Sequence, residues 1–337
     1  MNAEISRKNL RLQGWVLAGG LVLFGIKWVA WYKTGSNAIL TDALESIVNL
    51  LAGLMGLYSL QLAARPKDEN HPYGHGKIEF VSASIEGTLI TVAGALTIYK
   101  SIYNIWFPES IQALDLGLGL IAFAGVVNYI MGYSLERQGE KHRSLLLIAS
   151  GKHLKSDAYS TIGLIIGIGL ILLTNYYWLD TLIAIGLGGM LSITGIRILR
   201  RSLGGIMDET DEPLLAEFVE ILKKARKPTW IDIHNVRIIR YGATLHVDAH
   251  VTLPWYMDLK TVHDEVNLIE LAFNDGQTHP TEFFIHNDPC HSGSCKICRI
   301  PDCKVRVYPQ EQDIEWTSES LSRNLNHGAY MMDKSIH

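Results

Sequence analysis

"ILTDALESIVNLLAG", residues 39–53, has the composition of a membrane-spanning helix interrupted by Asp42, Glu45 and Asn49. Spacings of three, four and seven residues place the three polar side chains on one helical face, at about 3.6 residues per turn. Polar groups inside a bilayer are costly and are kept where they serve a function. Outward from this stretch, long apolar runs fall almost entirely before residue 197, in six segments near 12–32, 39–62, 81–102, 114–135, 145–174 and 177–196. Each approaches the roughly 20 residues that cross a hydrocarbon core, so the chain reads as a polytopic α-helical membrane protein with six transmembrane helices. The first run is about twice as long as a secretory signal core and is read as the first span.

Positive charge gives the sidedness. Arg7, Lys8 and Arg11 precede the first span, Arg65, Lys67 and Lys77 follow the second, and Arg137, Lys141, Arg143 and Lys152 separate the fourth from the fifth. Arg197, Arg200 and Arg201 follow the sixth. Both termini are therefore expected in the cytoplasm, and a bacterial inner membrane is the simplest setting. A net charge of −4 over 337 residues carries no nucleic-acid footprint. The chain has neither an HExxH motif nor a nucleophile elbow, so enzyme chemistry is not expected.

The expected domains are residues 1–203, in the membrane, residues 204–289, soluble, and a Cys-rich segment with the C-terminal tail at 290–337. The soluble part opens with "DETDEPLLAEFVEILKKA" (208–225), acidic at its start and basic at its end, which predicts a helix. "IDIHNVRIIRYGATLHVDAHVTL" (231–253) predicts two strands turning near Tyr241 and Gly242. In the second strand Leu245, Val247, Ala249 and Val251 face one way and His246, Asp248 and His250 the other. A helix at 258–274 and a strand at 281–289 complete a small α+β domain with helices on one face of a sheet.

The ligand chemistry begins in span five. In "GKHLKSDAYSTIG" (151–163), His153 and Asp157 stand four apart and can ligate one ion together. Glu45 and Asn49 repeat that spacing in span two, so two helices bring donor pairs to similar membrane depth. Imidazole with carboxylates suits a first-row divalent metal, the alternative being hydrogen bonds that merely join helices. The loop "PKDENHPYGHGKIE" (66–79) offers a surface set of Asp68, His71 and His75, or else a polar loop whose histidines bind nothing. All four cysteines fall in "DPCHSGSCKICRIPDCKV" (288–305), where cytoplasmic thiols suggest metal rather than disulfides. Cys290, His291, Cys295, Cys298 and Cys303 are its candidate ligands.

Together, "ESIVN" and "HLKSD" on two spans, the loop "DENHPYGHGK" and the strand ending "IHNDP" resemble the cation diffusion facilitator family over about residues 10–290. The resemblance implies a homodimer of six-span protomers in membrane lipid, exporting divalent transition metal (zinc, iron or manganese) from the cytoplasm in exchange for protons. It implies a ferredoxin-like, metallochaperone-like cytoplasmic domain whose dimer interface holds regulatory metal, most simply zinc, and no organic cofactor. Matched residue by residue, the transport site falls on Glu45, Asn49, His153 and Asp157, and the loop site on Asp68, His71 and His75. The cytoplasmic two-metal site falls on His234, His250, His263, His286 and Asp288, with Asp288 bridging. Lys77 and Asp208 match an interlock of charges near the membrane face. His246 lies outside the matched set and is expected to be an ordinary surface histidine.

Asn49 departs from the family pattern, which usually has a carboxylate there. Losing that charge shifts preference away from zinc toward iron or manganese. Glu86 on span three, or Asp42 one turn before Glu45, is expected to supply the missing charge or a proton acceptor, unless each only bonds helices together. Metal must displace protons from its ligands, and His153, with a reference pKa of about 6.5, is the natural carrier. The alternative reading, motivated by Asn49, is a membrane metal sensor or heteromeric partner that does not transport.

Overall fold

The computed structural model describes residues 3–34, 37–106, 115–174, 178–242, 244–275 and 281–328. Some side chains within the helices, those of Asp42 and Glu45 among them, lie outside the described residues. The chain forms two units, Met1–Met207 and Asp208–His337.

The first unit consists of α1 (Ala3–Thr34), α2 (Asn37–Ala63), α3 (Ile78–Trp106), α4 (Asp115–His142), α5 (Leu145–Thr174) and α6 (Trp178–Ile206). At 27–32 residues each is long enough to cross a bilayer core about 30 Å thick. Among the described residues only two segments are also continuously apolar enough to do so unaided, Arg7–Val29 and Ile78–Tyr103, with Asn49–Ala63 a shorter apolar stretch. The expectation of six spans therefore rests on helix length and on the sequence pattern, beyond these two segments.

Glycines hold these helices close. A Cβ on Gly94 of α3 would lie 2.6 Å from the Gly188 carbonyl of α6, and one on Gly195 would lie 2.6 Å from the Gly87 carbonyl. The same close approach joins α4 and α5, where a Cβ on Gly132 would lie 2.7 Å from the Gly151 carbonyl. With no Cβ in the way, backbones meet and dispersion contacts replace the hydrophobic drive that lipid cannot supply. Glu136 of α4 and Lys155 of α5 form an ion pair at 2.7 Å, and the His142 ring of α4 meets Asn9 Oδ1 of α1 at 2.6 Å.

The second unit opens with α7 (Glu212–Ala225), capped by the Asp211 carboxylate, which accepts the Leu214 N–H, and finished by Lys223 and Lys224 in the last turn. β1 (Asp232–Tyr241), β2 (Thr244–Leu253), α8 (Leu259–Asn274) and β3 (Thr281–Pro289) follow. The sheet order is β1-β2-β3, with β1 antiparallel and β3 parallel to β2. Leu245, Val247, Ala249 and Val251 of β2 are buried with Phe218 of α7 and Phe273 of α8, so both helices cover one face. β1 carries a bulge between His234 and Arg237, with Asn235 at φ +54°. The extra residue lets Ile233, Val236 and Ile238 all point into the core while His234 keeps its place opposite His250.

The C-terminal tail completes this core. It contributes a short α9 (Ser318–Ser322). Trp316 and Leu321 are fully buried in the core, and the Arg226 guanidinium lies 4.0 Å above the Trp316 ring. The Asn235 N–H donates to the Arg323 carbonyl at 2.8 Å.

Candidate metal centres

Within the helical unit, α2 and α5 meet at Asn49, His153 and Asp157. The Asn49 amide donates from Nδ2 to Asp157 Oδ2 at 2.7 Å, and its Oδ1 lies 2.7 Å from His153 Nε2. An amide oxygen only accepts, so His153 carries a proton on Nε2 in this arrangement. His153 Nε2 and Asp157 Oδ2 are 3.8 Å apart, and both side chains are largely buried. The i,i+4 spacing on α5 sets His153 and Asp157 side by side, with Asn49 seated between them. Glu45 and Asp42 lie outside the described side chains. Glu86 of α3 is buried and accepts the Ser150 hydroxyl at 2.9 Å, one turn before His153. Asn49, Glu86, Ser150 and His153 line one cavity together with Lys27 of α1 and Asn128 of α4. Lys27 was passed over in the sequence, although a lysine inside the first span is itself the signal that something polar faces it.

Between α2 and α3, a folded loop gathers Asp68, His71 and His75. His71 Nδ1 lies 2.9 Å and His75 Nε2 3.3 Å from the Asp68 carboxylate, and the two rings stand 4.3 Å apart. Gly74, at φ +90°, makes the turn, and its N–H donates to the His71 carbonyl at 2.9 Å. Hydrogen bonding from His71 holds the Asp68 carboxyl below its ordinary value. One ligand atom from each residue falls within 4.8 Å of the others.

On the sheet, register builds the third cluster. His234 pairs with His250 and His250 with His286, so three adjacent strands carry a row of imidazoles on the face away from the core. Ring centroids stand 5.2 Å apart for His234 and His250 and 4.8 Å for His250 and His286. Asp288, two residues beyond His286, reaches all three, at 3.5 Å from His234 Nε2, 3.2 Å from His250 Nδ1 and 3.3 Å from His286 Nε2. Its two oxygens face different rings, Oδ2 toward His234 and His250 and Oδ1 toward His286. His234, His250 and Asp288 hold ligand atoms within 4.8 Å of one another. His263 is exposed on α8 and does not join that group of ligand atoms among the described residues.

Behind this row stands Asp232, which the sequence did not single out. It is fully buried, 3.5 Å from His234 Nδ1, and it accepts both the backbone N–H and the ring of His327 in the tail, at 2.8 and 2.7 Å. Burial opposes its ionisation, but the nearby His234 ring and the hydrogen bonds from His327 prevail and hold its carboxyl down at about 2. A buried carboxylate on the far nitrogen of a ligating imidazole orients the ring and raises its basicity. His246 is not a surface histidine: it is 2% exposed, 3.5 Å from Glu282 and stacked on Phe284, because aromatic side chains cover its end of that face.

Cys290, Cys295, Cys298 and Cys303 are all free thiols lining one cavity. Burial pushes the Cys290 and Cys298 thiols up. His291 Nδ1 instead accepts the Gly293 N–H and caps the 3-10 turn Ser292–Lys296. Lys77 belongs to the first unit and Asp208 to the second.

Family models match nearly the whole of this arrangement. Residues 16–207 match the cation efflux transmembrane domain, and residues 210–290 match the cytoplasmic domain of cation efflux proteins. The chain is 31% identical over 272 residues to an uncharacterized transporter of Synechocystis sp., covering 81% of this chain and 87% of the relative. It is 26% identical over 275 residues to the manganese efflux system protein MneS of Bacillus subtilis, covering 81% and 93%. It is also 26% identical over 278 residues to the cation-efflux pump FieF of Salmonella newport, covering 81% and 90%.

Proposed function

The chain belongs to the cation diffusion facilitator family, and from that premise we propose that it exports divalent manganese or iron from the cytoplasm in exchange for protons. The observation that carries this reading is the Asn49 amide lodged between His153 Nε2 and Asp157 Oδ2. An amide oxygen is a hard, neutral donor, and with carboxylates and one imidazole it favours manganese or iron over zinc. The likeness to a manganese efflux system protein supports the same class of cargo. To take up metal, His153 enters as the imidazolium, gives up its Nε2 proton to the cytoplasm while keeping the one on Nδ1, and the amide turns its oxygen to the ion, so loading releases a proton. Reprotonation from the far side reverses those steps and expels the ion.

In this scheme Glu45 completes the transport site, and Glu86 or Asp42 holds the charge or proton that Asn49 does not. Asp68, His71 and His75 capture metal at the cytoplasmic loop. The protein is a homodimer with six spans per protomer, both termini in the cytoplasm and a ferredoxin-like soluble domain, in a bacterial inner membrane. Lys77 and Asp208 interlock its charges near the membrane face. His234, His250, His286 and Asp288 hold zinc as a regulatory metal, with the exposed His263 supplied across the dimer interface, and the ion favours whichever conformation binds it better.

The test is flux of zinc, iron and manganese into proteoliposomes, each with and without a pH gradient, with Asp157→Ala as control. Export of manganese or iron driven by the proton gradient and lost in Asp157→Ala supports the reading. Metal binding without any flux transfers the chain to the sensor alternative.

A further inference from the structure

Residues 290–317 hold a single 3-10 turn and otherwise run as turns and extended backbone. Their local core is small: Ile231, Ile297 and Cys298, with Cys290, Ile300 and Ile314 packed against them. So little burial does not offset the entropy of ordering an irregular segment of this length, and native segments of this kind are held by disulfides or a metal. The four cysteines are unpaired thiols, all lining one cavity beside Trp255, Tyr256 and Arg306.

Each sulfur is met by a donor. Backbone N–H groups of Trp255 and Ile300 donate to Cys290 and Cys298. The Val307 N–H reaches Cys295 Sγ at 3.5 Å, and the Tyr256 hydroxyl reaches Cys303 Sγ at 3.9 Å. Donors converging on sulfur can serve as the outer-shell hydrogen bonds that accompany a metal-bound thiolate. The Arg306 guanidinium adds positive charge and ties the loop together, donating to the carbonyls of Cys295, Cys298 and Ile300 at 2.9, 3.2 and 2.6 Å. With His291 Nδ1 used as a cap, the thiols are the remaining soft donors of the segment.

We propose that Cys290, Cys295, Cys298 and Cys303 bind one zinc ion as a tetrathiolate, a structural site that fastens the C-terminal segment to the sheet of the cytoplasmic unit. Four thiolates are soft ligands in the number that tetrahedral structural zinc takes, and they discriminate against manganese. This makes the site chemically separate from the transport cargo. The ligand atoms of the two histidine clusters already lie within 4.8 Å of one another, whereas among the described residues no three of the sulfurs do, so binding draws the loop inward. The ion sits just beyond β3, two residues from Asp288, and the segment it fastens leads to Trp316, Leu321 and His327.

Full-length protein in detergent, stripped of metal and with its thiols reduced, is titrated with cobalt(II) and then zinc(II). The expected result is sulfur-to-cobalt charge-transfer absorption with intense tetrahedral d–d bands, saturating at one equivalent per chain and displaced by zinc but not by manganese. The bands persist in His234→Ala and weaken or shift in Cys298→Ser and Cys303→Ser. Absence of sulfur-to-cobalt absorption in the reduced wild-type chain overturns the proposal, as does a full-intensity band in both cysteine variants. Either result leaves the transport reading untouched, because flux depends on Asp157 and not on sulfur.

Discussion

The proposed transport site in the helices and the proposed metal site on the sheet draw on the same side-chain chemistry and prepare it in opposite ways. In the membrane, Asn49 is hydrogen-bonded to both His153 and Asp157, so the donors are satisfied by one another until an ion displaces them. On the sheet, His234, His250 and His286 stand in a row set by strand register, and Asp288 reaches each of them from one side. Buried Asp232 holds His234 from behind. A site whose ligands exchange one set of partners for another can load and unload. A site whose ligands are held by a sheet and a carboxylate is suited to keeping its ion.

The largest effect that can break this contrast is at Asp157. Asp157→Ala removes a ligand and lowers metal flux by more than about 100-fold, since outer-sphere partners alone are typically worth 10–100-fold. Calorimetry on the same variant finds metal binding to the cytoplasmic sites unchanged. Asp232→Asn tests the other half. It lowers affinity at the His234 site by roughly 10–100-fold, read by calorimetry, and leaves Asp157-dependent flux in place.

Asp232 also makes an acid-stability prediction. Its carboxyl is held down at about 2 in the folded unit, below its ordinary value of 3.8. A depressed carboxyl contributes stability above its unfolded value and loses it as pH falls through the folded one, here from roughly pH 4 to 2. The full contribution is about 2 kcal/mol. Denaturant unfolding of wild type and Asp232→Asn at a series of pH values, followed by near-ultraviolet circular dichroism, finds the two stabilities most separated at neutral pH and converging as pH falls from about 4 to 2.

Smaller changes sharpen the contrast. Asn49→Asp restores a carboxylate between His153 and Asp157 and moves the zinc-to-manganese flux ratio toward zinc by on the order of tenfold, or about 1.4 kcal/mol. Glu86→Gln, which keeps a polar partner for Ser150, lowers flux by about two- to tenfold, the scale of one buried hydrogen bond, and flattens its pH dependence. Unchanged flux and pH dependence would reduce Glu86 to a helix-joining residue.

What the sequence made legible divides along the same line. Helical ligand pairs follow from spacing within one element, so His153 with Asp157 could be read directly, and the strand alternation of Leu245 to Val251 correctly named the core face. Contacts set by pairing across elements could not. The row of His234, His250 and His286 depends on register, which in β1 is set by a bulge at Asn235 that no local pattern announces. Asp232 acquires its partner from His327, 95 residues away, and the tail itself has no periodicity because its order comes from Trp316 and Leu321 entering an existing core. His246 misled for a related reason: alternation correctly put it off the core face, but could not show that Tyr241 and Phe284 cover it there. Glu136 and Lys155 went unnoticed because each looks like a surface charge until α4 and α5 are brought together.

Asn49, His153 and Asp157 are proposed to form a proton-exchanging site for a hard divalent ion. Its most direct test is initial-rate uptake of manganese, iron and zinc into proteoliposomes at clamped voltage, with and without a pH gradient, for wild type and Asp157→Ala. Manganese or iron uptake is expected ahead of zinc, accelerated by the proton gradient and absent in Asp157→Ala. Equal flux with and without the gradient, or uptake that survives loss of Asp157, would contradict it.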